Sequence, residues 1–243
     1  MKNSIKLRRR CNAAIYSGFA ILLLATSPLR AGDEDVRQAL NDKISTAADF
    51  YFSQQSKPET AVPDSVVAAA KGVIIITRWS GAVAVGGTAG SGIGLKKDAS
   101  GRFSAPAFYT LGGASLGLQV GGSKTQSVAF LMSDKALQTL TDSKFVWSGN
   151  VRAVAGPHSS SDSTVDNTAD VILYQQSSGL DVGAMVAATE ISVDNDGNRA
   201  FYGSPMITPS EIFGGSVSIP DSAKPLITAL NNQSSVIPTA KGK

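Results

Sequence analysis

Five residues combine positive charge with aromatic surface more densely than any others beyond the basic first segment of the chain: Arg78, Trp79, Lys96, Lys97 and Arg102. Indole rings settle at the headgroup level of a bilayer and basic groups contact lipid phosphate, so this set points to lipid contact. The same residues also read as a solvated strand end with an ordinary surface tryptophan.

Three other patterns could do chemistry, and their context argues against each. Gly90-Ser91-Gly92-Ile93-Gly94 has the glycine density of a phosphate-binding loop. Such a loop opens a helix, whereas Leu95-Lys96-Lys97-Asp98 leads into a turn and another strand. Asp194, Asp196 and Asn198 alternate as calcium ligands do, yet the sixth and twelfth positions of that loop, which need Gly and Glu, hold Arg199 and Pro205. Asn195-Asp196-Gly197 is instead expected to be a hairpin turn before Ala200-Phe201-Tyr202. His158 is the sole histidine, at the edge of a serine-rich loop over 158–166. Catalysis there would need an activated serine and an orienting carboxylate, and one histidine cannot supply the usual ligands of a zinc site. The expectation is no enzyme activity, no cofactor and no metal.

The elements that position these residues start after an export signal. Lys2, Lys6, Arg8, Arg9 and Arg10 precede an apolar run from Ala13 to Ala25, whose 13 residues fall short of the roughly 20 needed to span a bilayer. Pro28 and Ala31 then suggest cleavage, giving a signal peptide over 1–31 and a mature start at Gly32. The arginines also allow a twin-arginine signal, but Cys11-Asn12-Ala13 fits it poorly, and the ordinary secretory route is favoured. Cys11 precedes the apolar run, so no lipid anchor is expected. Six of the 22 basic residues and none of the 19 acidic ones lie in this segment, leaving 16 against 19 and a net charge of −3. Nucleic acid is thereby excluded as a partner, and the mature chain has no thiol.

Val36, Leu40, Ile44, Ala47, Ala48 and Tyr51 recur at helical spacing and predict a helix over 33–56, with Asp33, Glu34 and Asp35 at its positive end. Its polar face is acidic, which favours packing on a sheet over lying on a membrane. Asp64 is placed to cap a short helix through Val66 and Val67. From Gly72 the period changes to that of strands. Val73–Thr77 is β-branched, and 81–95 carries Gly or Ala at nearly every second position, so another backbone or a ligand can approach one face closely. Further strands are expected over 102–111, 127–132, 151–155, 171–174 and 180–193. Short helices are expected around Leu137 and Leu140, at Pro209–Ile212, and around Leu226 and Leu230.

The chain resembles the SYLF family, also called the Ysc84 actin-binding or lipid-binding domain, through motifs in matching order: Ala70-Lys71-Gly72-Val73, Gly90-Ser91-Gly92, Phe103-Ser104-Ala105-Pro106 and Gly117-Leu118-Gln119-Val120-Gly121. Gly149-Asn150-Val151, Ala155-Gly156-Pro157, Tyr174 with Ser178-Gly179-Leu180 and Gly183, Phe201-Tyr202-Gly203 and Thr208–Ile212 continue it. Asp181 and Val182 stand where the family commonly has Phe and Ala. The resemblance implies a non-catalytic domain binding membrane phospholipid, phosphoinositides in eukaryotic members, some of which also bind actin.

The expected architecture is α+β: a curved antiparallel β sandwich or barrel-like sheet with a few helices packed at one side. The expected divisions are an N-terminal helix and linker over 32–60, a SYLF-like domain over 61–215, and a C-terminal tail with a short helix over 216–243. The expected function is phospholipid binding at a bacterial cell envelope, exported to the periplasm or envelope and peripheral to the membrane. Its partner would be anionic phospholipid or a membrane surface. The alternative is a structural or scaffolding protein acting through a protein partner or self-association.

Overall fold

A computed structural model describes residues 31–83, 85–115, 121–146, 151–155, 169–178 and 190–235. The described part begins with helix α1 (Ala31–Gln55) and short helix α2 (Asp64–Ala69), followed by strands β1 (Gly72–Val83), β2 (Val85–Lys96), β3 (Ala107–Ser115) and β4 (Gly121–Leu131). Helix α3 (Asp134–Gln138), a 3-10 turn (Thr139–Thr141) and strands β5 (Lys144–Phe145), β6 (Val151–Ala155), β7 (Val171–Ser178) and β8 (Glu190–Val193) come next. Helices α4 (Asn195–Tyr202), α5 (Pro209–Phe213) and α6 (Lys224–Ser234) complete the described part, with a 3-10 turn (Asp221–Ala223) before α6.

The eight strands form one sheet, in the order β5-β8-β3-β2-β1-β4-β7-β6. It is a curled, half-barrel sheet, and the fold is α+β. All neighbours pair antiparallel except β6 and β7, which are parallel. The long β1 lies at the centre, running from Gly72↔Lys96 to Val83↔Val85 against β2 and from Gly72↔Leu131 to Ala82↔Gly121 against β4.

Period-two alternation divides the strands between two cores. Val73, Ile75, Ile93, Leu95, Val128 and Phe130 face a core shared with Leu40, Ile44 and Tyr51 of α1, Val66 and Val67 of α2, and Leu226 and Leu230 of α6. Ile74, Ile76, Tyr109, Leu111, Ala129 and Leu131 face the other, closed by Ala136 of α3, Leu140, and Ile212 and Phe213 of α5. Helices therefore cover both faces, not one side as expected. Each strand of the central β1–β4 pair is apolar on both faces near its Gly72 or Leu131 end, and two apolar faces need two covers. Helix α6 also belongs to the core, since Leu226 and Leu230 are fully buried.

Local chemistry sets the boundaries. The α1 stripe is buried from Leu40 to Tyr51 as expected but not at Val36, which is 42% exposed, and the helix at Pro209–Ile212 forms with a reciprocal capping box between Thr208 and Glu211. Ser133 accepts from the Ala136 N–H and caps α3. Asp64 instead occupies the first turn of α2, and Pro63 takes the cap position. The strand expected over 102–111 starts at Ala107. Phe103 makes only an isolated bridge to Lys97, and Pro106 has no N–H to give a ladder. The hairpin expected at Asn195-Asp196-Gly197 is the first turn of α4, because Asp194 Oδ1 accepts the Gly197 N–H at 2.8 Å and caps a helix. Of the strand expected over 180–193, only Glu190–Val193 lies within the described residues.

Candidate functional site

Alternation along β1 separates the first two candidate residues. Arg78 points to the side of Ile74 and Ile76 and is 2% exposed, whereas Trp79 points to the α1 side and is 49% exposed. A headgroup at the surface cannot reach Arg78 in this arrangement. Along the α1 side of β1, exposure rises from zero at Val73 through 2% at Ile75 and 7% at Thr77 to its value at Trp79. Cover by the helical layer thus thins along this face as far as Trp79.

Lys96, Lys97 and Arg102 lie at the other end of this ribbon. Lys96 pairs with Gly72, seven residues before Trp79, or roughly 23 Å away at strand rise. Lys97 caps a helix: its Nζ donates to the Val67 carbonyl at 2.6 Å and the Ala68 carbonyl at 3.0 Å, and sits 5.1 Å from the centre of the Phe103 ring. Burial pushes its ammonium down to about 8. Arg102 belongs to the exposed turn after β2, where its Nε donates to Ser100 Oγ at 3.1 Å beside Asp98. Asp98 Oδ1 accepts the Ser100 and Arg102 N–H groups, and Gly101 supplies the left-handed residue at φ 81°. The Ser100 hydroxyl and these amides hold the Asp98 carboxyl below its usual range. The five residues do not form one patch.

Trp79 instead meets residues that sequence spacing alone does not single out. Lys124 of β4 stands directly opposite it, and Ala89 of β2 flanks it on the other side. Between this part of the sheet and α1 opens a cleft of about 230 Å³. Ile75 and Ile93 line it with Thr77 and Ser91; Lys43 and Thr46 come from α1, and Trp79 and Lys124 from the sheet. Asp42 also lines it and accepts from Gln38 Nε2 at 2.9 Å, while Lys43 Nζ lies 3.8 Å from Asp194. Lys124 was legible only through register, since the apolar part of its strand starts four residues later, at Val128.

The remaining motifs take structural roles or fall outside view. Gly90-Ser91-Gly92 runs within β2, paired on both sides, and a Cβ at Gly90 would lie 2.6 Å from the Thr77 carbonyl oxygen. The absence of a Gly-x-Ser-x-Gly elbow, expected from the sequence, is wrong at the level of spacing, since Gly113, Ser115 and Gly117 have it; Gly117 lies outside the described residues. Gly113 and Ser115 belong to strand β3. His158, the loop over 158–166, Asp181 and Val182 lie outside the described residues, as does the signal segment 1–30. Among the described residues no group of three or more His, Cys, Asp or Glu could hold a metal ion, and no helix is long and apolar enough to cross a membrane.

Comparison with known proteins agrees with the motif order. The family described as "Ysc84: Las17-binding protein actin regulator" matches residues 112–233. Protein YSC84 of Saccharomyces cerevisiae is 30% identical over 181 residues, which cover 72% of this chain and 38% of that protein. The LAS seventeen-binding protein 3 of the same yeast is 29% identical over 181 residues, covering 72% of this chain and 39% of the relative. The SH3 domain-containing YSC84-like protein 1 of Xenopus laevis is 27% identical over 185 residues, covering 74% and 55%. The match thus takes in between about two fifths and just over half of these relatives' length. No solved structure matches. The family description names a binding protein and so does one of these relatives, and the chain belongs to the Ysc84, or SYLF, family.

Proposed function

We propose that this protein is a non-catalytic binding module that attaches peripherally to anionic phospholipid at a cell envelope, after export directed by its N-terminal segment. One observation carries this reading: Trp79, half exposed on β1, stands directly opposite Lys124 of β4. An indole held by a stiff strand inserts at headgroup depth while the adjacent ammonium meets phosphate, two contributions that a membrane surface satisfies together. The five-residue set read from sequence reduces to Trp79 for this purpose. Lys96 and Arg102 are exposed enough to add attraction at long range, and Lys97 is committed to helix α2.

Co-sedimentation with vesicles tests the reading. The protein should pellet with phosphatidylcholine vesicles containing phosphatidylglycerol and stay in solution with phosphatidylcholine alone. Trp79→Ala and Lys124→Glu should each lower the pelleted fraction severalfold. Equal binding by both folded variants would reject this surface.

A protein partner is the second reading, favoured by the family description, which names Las17 binding and actin regulation. Light scattering over a range of concentrations, with and without lipid, separates self-association from lipid attachment.

A further inference from the structure

We infer that the cleft between α1 and the sheet binds one pyranose ring of a sugar, held by hydroxyl groups of the strands and by the indole of Trp79. This is a second class of ligand, and it goes beyond the lipid reading above.

The sheet side of the cleft supplies the first argument. Thr77 of β1 and Ser91 of β2 stand directly opposite each other, and both line the cleft. Thr77 is only 7% exposed, yet among the described residues its hydroxyl has no hydrogen-bond partner. A hydroxyl largely withdrawn from water favours a guest that bonds to it. The Cβ atoms of such a cross-strand pair lie roughly 4.5–5.5 Å apart, so the two hydroxyls can hold neighbouring hydroxyls of one ring. Each can donate and accept, as the hydroxyls of a sugar do.

The rest of the lining fits the same guest. Helix α1 adds Thr46 and Asp42, and Asp42, which accepts from Gln38 through Oδ1, has further lone pairs to accept from a sugar hydroxyl. Trp79, half exposed, and the buried Ile75 and Ile93 give apolar surface. A pyranose ring carries C–H groups on its faces and hydroxyls around its rim, which is the mixture this lining offers. The lysines do not call for an anion, since Lys43 pairs with Asp194 at 3.8 Å and Lys124 also has an interaction of its own. A hydrocarbon guest would leave the Thr77 and Ser91 hydroxyls unbonded, and an inorganic anion would leave the indole and the isoleucines unused.

Size sets the number of rings. At about 230 Å³ the cleft is smaller than the roughly 300–1,000 Å³ that encloses a drug-sized ligand, and it has room for about eight waters at ~30 Å³ each. One ring fits and a second does not. Thr46 is exposed at the mouth, so the ring can be a free sugar or the end of a chain.

Titration of the ¹⁵N-labelled chain from Gly32, in a Trp147→Phe background, tests the site through the indole N–H resonance of Trp79. The probes are the methyl glycosides of glucose, galactose, mannose and N-acetylglucosamine. At least one should shift that resonance saturably with a Kd on the order of 1 mM, the affinity open to a guest of this size. Sorbitol, which has the hydroxyls but no ring, should bind at least tenfold more weakly. Equal affinity for the trisaccharide of the same sugar would show that chain ends enter, and weaker binding that only the free sugar does. Thr77→Val keeps the shape of the side chain and removes the hydroxyl, and Thr46→Trp fills the mouth. Each should weaken the glycoside at least threefold, with circular dichroism and pelleting on anionic vesicles unchanged. No saturable shift with any of the four glycosides, equal binding of sorbitol, or unchanged affinity in either folded variant overturns the inference and leaves the lipid reading standing.

Discussion

Asn198 holds Phe108 by both ends of its carboxamide: the Phe108 N–H donates to Asn198 Oδ1 at 2.9 Å, and Asn198 Nδ2 donates to the Phe108 carbonyl at 3.1 Å. Strand β8 pairs with β3 only as far as Tyr109↔Val193; one residue beyond, the Asp194 N–H still donates to the Phe108 carbonyl at 2.9 Å, and the fully buried Asn198 side chain supplies the acceptor for the Phe108 N–H. Asn198→Ala strands a buried amide and should cost about 2–3 kcal/mol, since an unsatisfied buried group loses its full desolvation penalty. Calorimetry should show Tm falling by about 4–12 °C. A fall under a degree would mean that the carboxamide is dispensable.

Lys97 gives a pH dependence whose sign is fixed. Its folded value, about 8, lies below the 10.5 of the free side chain, so between these values the unfolded chain holds the proton more tightly. The contribution of Lys97 to stability is least below pH 8 and grows as pH rises toward 10.5. Both carbonyl bonds survive the change, because a neutral amine keeps two N–H donors. Urea unfolding of the wild type relative to Lys97→Met should show this upward difference. Tyr51, Tyr109 and Tyr202 are raised by burial and oppose it above pH 10, so the range from 8 to 10 is the informative one. A flat or falling difference there would contradict the assignment.

Gly90 and Gly112 form a contrast within one sheet. A Cβ at Gly90 would meet the Thr77 oxygen at 2.6 Å and the Arg78 Cα at 3.1 Å, both backbone atoms that cannot move aside, whereas a Cβ at Gly112 meets nothing within 4 Å. Gly90→Ala should destabilise by about 1–3 kcal/mol. Gly112→Ala should be neutral or stabilise by up to about 1 kcal/mol, through the entropy that glycine loses in a strand. Urea midpoints of the two variants should move in opposite directions or differ by the full cost at Gly90.

Trp79 should report membrane contact directly. The chain has only one other tryptophan, Trp147, so a Trp147→Phe background isolates its emission. Anionic vesicles should shift that emission to the blue, and raising salt to about 1 M should reverse the shift by shortening the Debye length to ~3 Å. A blue shift with neutral vesicles alone would contradict the role given to Lys124.

The period of side chains made much of this fold readable, and contacts between distant segments account for the rest. The α1 stripe of Leu40, Ile44 and Tyr51 and the β-branched Val73–Thr77 depend on local spacing, and both lie where that spacing places them. Asn195-Asp196-Gly197 misled because the same residues serve a hairpin or a capped first turn, and Asp194 decides between them. Arg78 and Trp79 read as one chemical unit in sequence, yet adjacent strand residues point to opposite faces. The cleft was not legible, since Lys43 and Lys124 are brought together only when α1 folds across the sheet.

Tyr51 donates to Gln233, and Ser222 donates to Asn41, across 182 and 181 positions of chain. Helix α1 thus leaves the ribosome long before α6, and until α6 follows, Tyr51 and Asn41 lack these partners. Any holdase acting on the nascent chain would have α1 as its natural client. Truncation before Lys224 would loosen the opposite end of the protein first, and proteases would cut there earlier than at the new terminus.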